Sequence, residues 1–576
     1  MGNTMKIGIN PSFVRYWGNQ LAFKDLRKSG ELYHTSDSTG KYNTGGNFIP
    51  GDAKTDASGN PSSYTVSGGG DMPAGTFART LLVRSLSNLP LPYPSGIYHV
   101  LYDGEGTIQL SNDPEWPYGV YAANRGETTP GDVSFTINNP TDSGILLDIS
   151  GVPGANYIKN VRIVHHDDLG TYETQPFGQR FLDSIEELSD SEGGYFRSMN
   201  WGYANGDGGR WTAPNDFHLA WRRVNTKWED RVIPAMPQGR IGSSLEYAVQ
   251  ICNTINRSLW YNVNHPATYD FITSAATYIK DNLNSSLSVV VEWSNEFWNP
   301  AFYQRYYAYL GAAEASVSAQ YYGGLNTGPG GGSTGDDQRA ANRYGADKSK
   351  AAGVIFSSVF GEAAPTRILT VVGGQSSNPW QQERMLEWSG VNSEGAPVSS
   401  LDAIAIAPYF GNRLGTNPEA SSILGQGAND PSSVSEILAS CALMIDGETR
   451  DQVAGNITVA NYYDIDVFTY EGGQHLVGVG TPLDDDLFPI FSACNLDPQM
   501  ETLYTQYLNM LQDEGIKLAC IYRSISKFSK ATMFGLQRHY GDTERPKYDA
   551  VVAFIGATAV STFFENNLGY RLNINS

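Results

Sequence analysis

Two stretches of the sequence place a glutamate directly after a short apolar run. VVVEWSNEFWNP, residues 289–300, carries Glu292 and Glu296, and DVFTYEGGQH, residues 466–475, carries Glu471. Apolar runs of this length are typical of buried strands. Two carboxyl groups that meet at one site can divide acid and base chemistry, because one stays protonated while the other stays ionised. Whether they meet depends on the fold that carries the two strands.

From about residue 177 onward, helical patterns alternate with apolar strand patterns, which is typical of βα units around a parallel sheet. Seven strands are predicted here, near residues 196, 260, 290, 369, 404, 467 and 519. KIGIN at 6–10 supplies an eighth, and eight parallel strands are the number that a (β/α)₈ TIM barrel requires. The rival arrangement is a doubly wound open sheet, but no G-x-G-x-x-G motif follows an early strand.

The region between the first two predicted barrel strands has a different character. Residues 31–165 are rich in Gly, Ser, Thr and Pro, and six short β-type runs alternate with turn signals such as YDGEG. This pattern predicts a β-sandwich inserted after the first barrel strand. We therefore expect the first barrel strand and the start of the barrel at 1–30, the inserted sandwich domain at 31–165, and the remainder of the catalytic barrel at 166–576. The Gly-rich stretch 321–337 is expected to be a flexible loop.

In a barrel of parallel strands, the loops after the carboxyl ends of the strands build the active site. Glu296 follows the fourth predicted strand and Glu471 the seventh, so both are expected at the same rim. Cleavage of a glycosidic bond requires such a pair: one carboxylic acid protonates the leaving oxygen, and the other carboxylate acts as nucleophile or base. The alternative for either glutamate is a structural ion pair at the rim.

This arrangement resembles the clan A glycoside hydrolases, retaining (β/α)₈ enzymes that include many cellulases, mannanases and β-galactosidases. The resemblance lies in Asn295 and Glu296 after strand four and in Glu471 after strand seven. It implies that Glu296 is the acid/base, that Glu471 is the nucleophile, and that Asn295 hydrogen-bonds the sugar 2-hydroxyl. Retention requires the two carboxyl groups to lie about 5–5.5 Å apart. One departure is that strand eight ends without the tryptophan common in the clan; Phe528 and Phe534 are the available replacements.

Further polar residues near predicted strand ends are candidates for substrate binding. Arg197 on the second strand is the expected partner of Glu292 or of the nucleophile, and similar enzymes often carry an arginine there. For Glu292, which lies deeper in its strand, we favour a buried structural ion pair. His265 ends the third strand, where similar enzymes often carry a substrate-facing histidine. Tyr409 ends the sixth and could lower the pKa of the nucleophile by donating its hydroxyl.

Aromatic residues near the strand ends are candidate sugar platforms. Trp201, Trp298 and Trp380 follow strands two, four and five, and their rings could stack on the C–H faces of pyranose rings. His475 lies close after Glu471 and could line the same cleft. For each of these residues, the alternative is a structural role in the core or beneath the loops.

Composition narrows the classes of partner. The net charge is −21 with no run of Lys or Arg, so neither nucleic acids nor anionic membranes are expected partners, and an anionic substrate would need a locally basic cleft. Few charged residues (17%) beside 34 tyrosines and 11 tryptophans suit neutral polar ligands such as sugars. The four cysteines lack C-x-x-C spacing, which leaves disulfides or reduced thiols open. Neither H-x-H nor H-E-x-x-H occurs, so we expect no metal and no cofactor.

The leading interpretation is a retaining glycoside hydrolase, an endo-acting β-glycanase that cleaves a polysaccharide or oligosaccharide by double displacement. Two alternatives stay open: a non-catalytic carbohydrate-binding or adhesion protein on a barrel scaffold, and a glycan-degrading module of a larger assembly such as a phage tail. MGNTMKIGINPSFVRYW lacks the apolar core of a signal peptide, and no segment has the ~18 apolar residues of a membrane span. We expect a soluble protein, compatible with extracellular action, whose compartment and oligomeric state the sequence leaves open.

Overall fold

The computed structural model describes most of the chain. The described residues are 5–37, 42–47, 76–84, 93–104, 106–114, 131–150, 157–207, 216–326, 328–330, 335–390, 401–415, 431–478, 485 and 487–557. Within these ranges, the strands in chain order are β1 Lys6–Asn10, β2 His34–Asp37, β3 Tyr42–Asn47, β4 Thr76–Val83, β5 Gly96–Asp103, β6 Thr107–Asn112, β7 Gly131–Ile137, β8 Ile145–Ser150, β9 Lys159–His165, β10 Tyr195–Arg197, β11 Ser258–Val263, β12 Val289–Trp293, β13 Ile368–Gly373, β14 Ala403–Ile406, β15 Asp466–Thr469 and β16 Leu518–Tyr522.

The helices alternate with the later strands, as the sequence pattern predicts. In chain order they are α1 Leu26–Ser29, α2 Gln179–Glu187, α3 Asp216–Val224, α4 Leu245–Ile255, α5 Tyr269–Asn282, α6 Tyr303–Ala313, α7 Ser318–Tyr322, α8 Gly335–Phe360, α9 Ala364–Arg367, α10 Pro379–Gly390, α11 Pro431–Met444, α12 Arg450–Tyr462, α13 Leu487–Leu496, α14 Gln499–Asp513 and α15 546–557. A π-helical segment, Ile445–Thr449, joins α11 to α12.

Eight strands form a closed, all-parallel barrel in the order β1-β10-β11-β12-β13-β14-β15-β16. These are the eight strands that the sequence predicts, and barrel closure excludes the open doubly wound sheet. The first and last strands close the barrel, pairing from Lys6↔Leu518 to Asn10↔Tyr522. A side chain at Gly8 would collide there, because its Cβ would lie 2.6 Å from Cys520 Sγ.

The barrel separates two hydrophobic clusters, because successive side chains of a strand point to opposite faces. The smaller cluster fills the interior, where Trp260 and Phe468 pack with small residues such as Ala403, Ala405 and Cys520. The larger cluster lies between the outer strand faces and the surrounding helices. This packing gives the strand ends rigid positions.

Between β1 and β10 the chain forms two antiparallel sheets, ordered β3-β2-β4-β8-β6 and β7-β5-β9. Buried residues of both sheets, including Leu82 and Leu147 of the first and Tyr98 and Ile163 of the second, belong to one hydrophobic cluster. Strands β4 to β9 coincide with the six predicted runs. The sequence missed β2 and β3, because HTSD and YNTGGN lack apolar alternation. The boundaries 31–165 of a separate sandwich domain stay a prediction.

Other expectations have mixed outcomes. The predicted loop 321–337 overlaps the end of α7 and the start of α8, so part of the predicted loop is helical, and residues 327 and 331–334 lie outside the described ranges. All four cysteines are buried and free. Within the described ranges, no helix has the length and apolar character needed to span a bilayer, and no group of three or more His, Cys, Asp or Glu side chains is arranged to hold a metal ion.

Candidate active site

The chain turns sharply where β12 ends, and this turn brings Glu296 to the rim of the barrel. Ser294 and Glu296 both have left-handed backbone, with φ of 63° and 43°. Non-glycine residues rarely adopt this conformation, and strained backbone of this kind tends to cluster at functional sites. The turn is fixed by hydrogen bonds from Ser294 N to Val263 O at 2.6 Å and from Gln304 Nε2 to Asn295 O at 2.6 Å.

A cavity of about 910 Å³ opens at the carboxyl ends of the barrel strands, and we call it the strand-end cavity. Glu296 and Glu471 both contribute to its lining, so the structure brings the two predicted glutamates together. Of the ten residues that the sequence singles out as site residues, seven line this cavity: Asn295, Glu296, Trp298, Trp380, Tyr409, Glu471 and His475.

Arg197 does not line the cavity itself, but its side chain donates hydrogen bonds to two residues that do, Glu471 and Asn295. The guanidinium is fully buried and donates to Glu292 Oε2 at 2.9 Å, Glu471 Oε1 at 3.1 Å, Asn295 Oδ1 at 2.9 Å and Asn10 Oδ1 at 3.0 Å. Burial lowers the pKa of Arg197, but Glu292 and Glu471 outweigh that effect and raise it above its ordinary value. The arginine is therefore a permanent cation that fixes the positions of Glu471 and Asn295.

Glu292 forms the buried ion pair that the sequence predicts. Its carboxylate pairs with Arg197 through two nitrogens and also accepts hydrogen bonds from Trp260 Nε1 at 2.7 Å and Asn262 Nδ2 at 2.8 Å. A buried carboxylate is tolerated only when such partners satisfy it. Glu292 thus holds Arg197 beside the cavity without lining the cavity itself.

Glu471 is surrounded by groups that favour its ionised form. Arg197 Nη1 donates to Oε1 at 3.1 Å, and the Tyr409 hydroxyl donates to Oε2 at 2.9 Å. Burial raises the pKa of Glu471 above its ordinary value, while the charge of Arg197 and the hydrogen bond from Tyr409 oppose that rise.

Among the described residues, the hydrogen-bond donors to Glu296 are neutral. Asn299 Nδ2 donates to Oε2 at 2.7 Å, and the Tyr470 hydroxyl donates to Oε1 at 3.2 Å. Burial and then the negative charge of Glu471 raise the pKa of Glu296 to about 7. When one proton is shared between two interacting carboxyl groups, it resides on the group whose ionised form is less stabilised. That group is Glu296, since Glu471 is the one in contact with the cation.

The aromatic lining residues differ in accessibility. Trp380 is 52% exposed at the edge of the cavity, whereas Trp298 is partly buried. His475 is partly buried beside Tyr409 and Phe534, with ring centroids 5.3 Å from each, and desolvation lowers its pKa to about 4. It is therefore neutral at pH 7. Of the two phenylalanines that the sequence offers in place of a strand-eight tryptophan, Phe534 lines the cavity and Phe528 does not.

Two predicted residues lie away from the strand-end cavity. Trp201 is buried against the outer face of the barrel, stacked on Phe181 with ring centroids 5.8 Å apart. His265 is buried with its Nε2 atom 3.0 Å from Asp207 Oδ2 and its ring against Tyr307. Both follow a barrel strand, but their side chains turn into the packing around the barrel. We propose no substrate contact for either.

Sequence reasoning missed several polar residues of the site. Tyr470 and Asn299 bond Glu296, Asn10 bonds Arg197, and Asn205 and Tyr522 line the cavity. Signals existed for some of them: Tyr470 directly precedes Glu471, while Asn10 and Tyr522 end the first and last barrel strands. Asn205 lies in a loop and follows no strand directly.

Comparison with solved structures finds glycoside hydrolases. The GH51 arabinofuranosidase from Xanthomonas axonopodis pv. citri is 11% identical with a TM-score of 0.37. The match covers 66% of this chain and 66% of the arabinofuranosidase chain, so this chain spans just under two thirds of that protein's length. The endo-1,4-β-D-xylanase 10B of Clostridium thermocellum is 12% identical with a TM-score of 0.36, over 84% and 91%. The β-glycosidase from Thermosphaera aggregans is 12% identical with a TM-score of 0.32, over 55% and 71%. No family model and no curated protein matches the sequence. At these TM-scores the likeness carries no weight for function, which is inferred below from the residues of the cavity.

Proposed function

We propose that this chain is a retaining glycoside hydrolase, an endo-acting β-glycanase that cleaves a polysaccharide by double displacement. The observation that carries the proposal is the asymmetry of the carboxyl pair in one cavity. Glu471 is bonded to the Arg197 cation and to Tyr409, while burial and the charge of Glu471 raise the pKa of Glu296 to about 7. An ionised nucleophile beside a protonated acid is the state that the first step of a retaining mechanism needs.

In the first step, Glu471 attacks the anomeric carbon while Glu296 donates its proton to the glycosidic oxygen, so the aglycone leaves as an alcohol and a glycosyl-enzyme forms. In the second step, Glu296, now ionised, takes a proton from water, and the water oxygen displaces Glu471 from the anomeric carbon. Two inversions give net retention. Glu296 regains its proton and Glu471 its charge.

Asn295 is suited to bind the sugar ring during these steps. Its Oδ1 atom accepts from Arg197 at 2.9 Å, and its Nδ2 atom donates to Asn205 at 3.2 Å. An amide nitrogen carries two hydrogens, so one remains for the 2-hydroxyl of the bound sugar. The hydrogen bonds to Arg197 and Asn205 fix the side-chain amide in that orientation.

The shape of the strand-end cavity supports a polymeric substrate. Its volume of about 910 Å³ lies near the upper end of the range for small-molecule sites. Trp380, half exposed at the edge, and Trp298 offer aromatic faces for sugar rings beyond the cleavage point. These features favour internal cleavage of a chain over release of terminal sugars from a closed pocket.

We also propose that residues 31–165 form a β-sandwich domain inserted between 1–30 and 166–576 of the catalytic barrel. The single hydrophobic cluster shared by the two antiparallel sheets supports this assignment. The insertion leaves the barrel intact because β1 still pairs with both β10 and β16.

Hydrolysis of a panel of β-linked polysaccharides tests the proposed function. Wild type is assayed beside Glu471→Ala, with Glu362→Ala, an exposed glutamate that follows α8, as the matched control. NMR of the first product reports its anomeric configuration. We expect retained configuration from wild type and from the control, and no turnover from Glu471→Ala. An inverted product would contradict the role of Glu471.

The same assay separates the non-catalytic alternative. A carbohydrate-binding or adhesion protein would bind one of the polymers and hydrolyse none of them, in wild type and variants alike. A glycan-degrading module of a larger assembly would use the same chemistry and differ only in its partners, so its activity would follow the pattern expected above.

A further inference from the structure

The strand-end cavity has a basic lining, although the whole chain carries a net charge of −21. Among its described lining residues, the carboxyl groups are those of Glu296 and Glu471. The charge of Glu471 is offset by the Arg197 cation, and burial raises the pKa of Glu296 to about 7. The two cations of the lining are Arg305 and Arg339. The cavity is therefore locally basic, as the binding of an anionic substrate to so acidic a chain requires.

Both arginines lie on helices that are tied to the catalytic turn. Residues 335, 338, 339 and 342 of α8 line the cavity at helical spacing, so one face of this helix forms part of the wall. Arg305 on α6 donates from Nη1 to Asn342 Oδ1 at 2.7 Å, which joins the two helices. The neighbouring Gln304 donates to Asn295 O at 2.6 Å. These hydrogen bonds set the positions of both cations relative to the catalytic turn.

Arg339 presents its guanidinium at the surface of the cavity. Its side chain is 44% exposed, and Asp336 Oδ1, one turn earlier on α8, lies 3.7 Å from its Nη2 atom. This distance is longer than a hydrogen bond, so Asp336 offsets part of the charge and leaves the donors available to a ligand. A planar guanidinium binds anionic oxygen atoms through paired hydrogen bonds, and it keeps its charge across the whole working pH range.

Most of the other polar side chains in the lining are amides. Six asparagines and four glutamines contribute to it. Side-chain amides both donate and accept hydrogen bonds, so they can bind the hydroxyl groups of any sugar and do not distinguish a neutral sugar from an acidic one. The arginines can make this distinction, because an anionic group that leaves water for the cavity needs a complementary charge.

We propose that the substrate of the strand-end cavity is an anionic polysaccharide, and that Arg305 and Arg339 bind a carboxylate or sulfate group on one of its sugars. This inference rests on the proposed glycanase function and adds the chemical class of the glycan. Within the described ranges, neither arginine forms a hydrogen bond with Glu296 or Glu471. Recognition of the anionic group is therefore separable from cleavage of the glycosidic bond.

Matched pairs of polymers test the requirement for charge. Hyaluronan and glucuronoxylan are each compared with a form whose carboxyl groups have been reduced to primary alcohols, and κ-carrageenan is compared with its desulfated form. Binding is measured by calorimetric titration of Glu471→Ala, which leaves the polymers intact. The salt concentration is about 0.15 M, where charges more than ~8 Å apart are screened. We expect one acidic polymer to bind at least tenfold more tightly than its neutral counterpart, and its identity distinguishes carboxylate from sulfate.

Arginine substitutions in the same background test the proposed contacts. The double substitution Arg305→Gln, Arg339→Gln should weaken binding of the acidic polymer at least tenfold and leave its neutral counterpart unaffected. Arg339→Gln alone should weaken it at least threefold with an unchanged unfolding midpoint, because this side chain is half exposed. Arg545→Gln is the matched control: Arg545 is 35% exposed, is ion-paired with Asp549 and lies outside the lining. We expect this control to bind as tightly as its parent.

The inference is overturned if the neutral polymers bind as tightly as the acidic ones, or if Arg339→Gln and the double variant bind the acidic polymer like the control. Hydrolysis by the otherwise wild-type chain separates this inference from the proposed function. Cleavage of a neutral polysaccharide, at a rate that both arginine substitutions leave unchanged, would keep the glycanase function and overturn the anionic substrate. Arginine-dependent binding of an acidic polymer that wild type leaves uncleaved would support the anionic site and contradict the glycanase function.

Discussion

The ends of strands β12 and β15 deliver the same side chain to one cavity in opposite electrostatic settings. Glu471 contacts a buried cation and a tyrosine hydroxyl, whereas Glu296 contacts the side chains of Asn299 and Tyr470, both neutral. Burial raises the pKa of both carboxyl groups. The charge of Arg197 is the leading cause that opposes the rise at Glu471, whereas at Glu296 it ranks behind the hydrogen bonds from Asn299 and Tyr470. The proposed division into acid and nucleophile therefore rests on the donors around each glutamate, since the side chains are identical.

The cation itself depends on a third carboxylate. Glu292 lies inside the barrel and fixes Arg197 through a paired contact, which leaves one nitrogen of the guanidinium for Glu471. Strands β10 and β12 thus place Arg197 and Glu292 below the rim. Arg197 there donates to Glu471, which makes the surroundings of Glu296 and Glu471 asymmetric. Variants that remove one donor at a time test this comparison.

The largest expected effect separates the two glutamates. Glu471→Ala removes the nucleophile, and we expect kcat on a polysaccharide to fall by on the order of 10⁵-fold. Glu296→Ala removes the acid, with an expected loss of about 10²–10⁴-fold on the same substrate. An aryl glycoside whose leaving group needs no proton should restore the first step in Glu296→Ala and leave Glu471→Ala inactive.

Addition of azide distinguishes the Glu296→Ala and Glu471→Ala variants further, through the configuration of their products. In Glu296→Ala, azide needs no base and displaces Glu471 from the glycosyl-enzyme, so the glycosyl azide should have retained configuration. In Glu471→Ala, azide enters the vacated space and displaces the leaving group once, so the product should be inverted. An inverted azide from Glu296→Ala and a retained azide from Glu471→Ala would mean that the two glutamates have the opposite roles.

Loss of the cation is expected to have the next largest effect. Arg197→Met leaves Glu292 and Glu471 buried without their counter-ion, and we expect the free energy of unfolding to fall by about 3–5 kcal/mol. Denaturant titration measures this change. The double variant Arg197→Met, Glu292→Gln should recover part of the loss, because the unpaired charge inside the barrel is gone. Equal stability of the single and double variants would speak against the ion pair.

The two tyrosines form a matched pair for the comparison. Tyr409→Phe removes a hydrogen bond that favours ionised Glu471, so the pKa of Glu471 should rise and the acid limb of the kcat/KM profile should move to higher pH. We expect kcat/KM at its optimum to fall by about 10–100-fold. Tyr470→Phe removes a donor to Glu296 instead, so the alkaline limb should move to higher pH. If both variants moved the same limb of the pH profile, the two tyrosines would not act on different glutamates.

The smallest expected effect concerns the pH dependence of wild type and Asn299→Ala. Glu296 must carry its proton to act as acid, so activity should decline as pH rises through about 7, the pKa of this group. The hydrogen bond from Asn299 favours the ionised form, so its removal should raise that pKa and move the decline to higher pH. We expect the maximal rate to change by less than about tenfold. A decline that stays at the wild-type pH would contradict the role of Asn299.

The barrel could be predicted from the sequence because most of its strands are apolar runs followed by a helical pattern, and the first strand, KIGIN, completes the count of eight. That Glu296 and Glu471 line one cavity could also be predicted, since parallel strands expose their carboxyl ends at one rim, while their catalytic roles stay a proposal. Trp201 and His265 also follow strands, yet both are packed around the barrel. Strand position fixes where a residue's backbone lies, whereas the side-chain direction after the last strand residue depends on the local turn.

One further feature was beyond sequence reasoning. The left-handed backbone at Ser294 and Glu296 directs Glu296 into the cavity. Glycine usually marks such a conformation in a sequence, but here a serine and a glutamate adopt it, so the sequence gives no sign of the turn.

The central claim is that Glu471 is the nucleophile and Glu296 the acid. The most direct test is labelling with 2-deoxy-2-fluoro-β-glycosides of an activated leaving group, followed by mass spectrometry of proteolytic fragments. The fluorine destabilises the oxocarbenium-like transition state, so a glycosyl-enzyme should accumulate. We predict one sugar per chain, attached to Glu471. A sugar on Glu296, or hydrolysis with inversion and no label, would contradict the assignment.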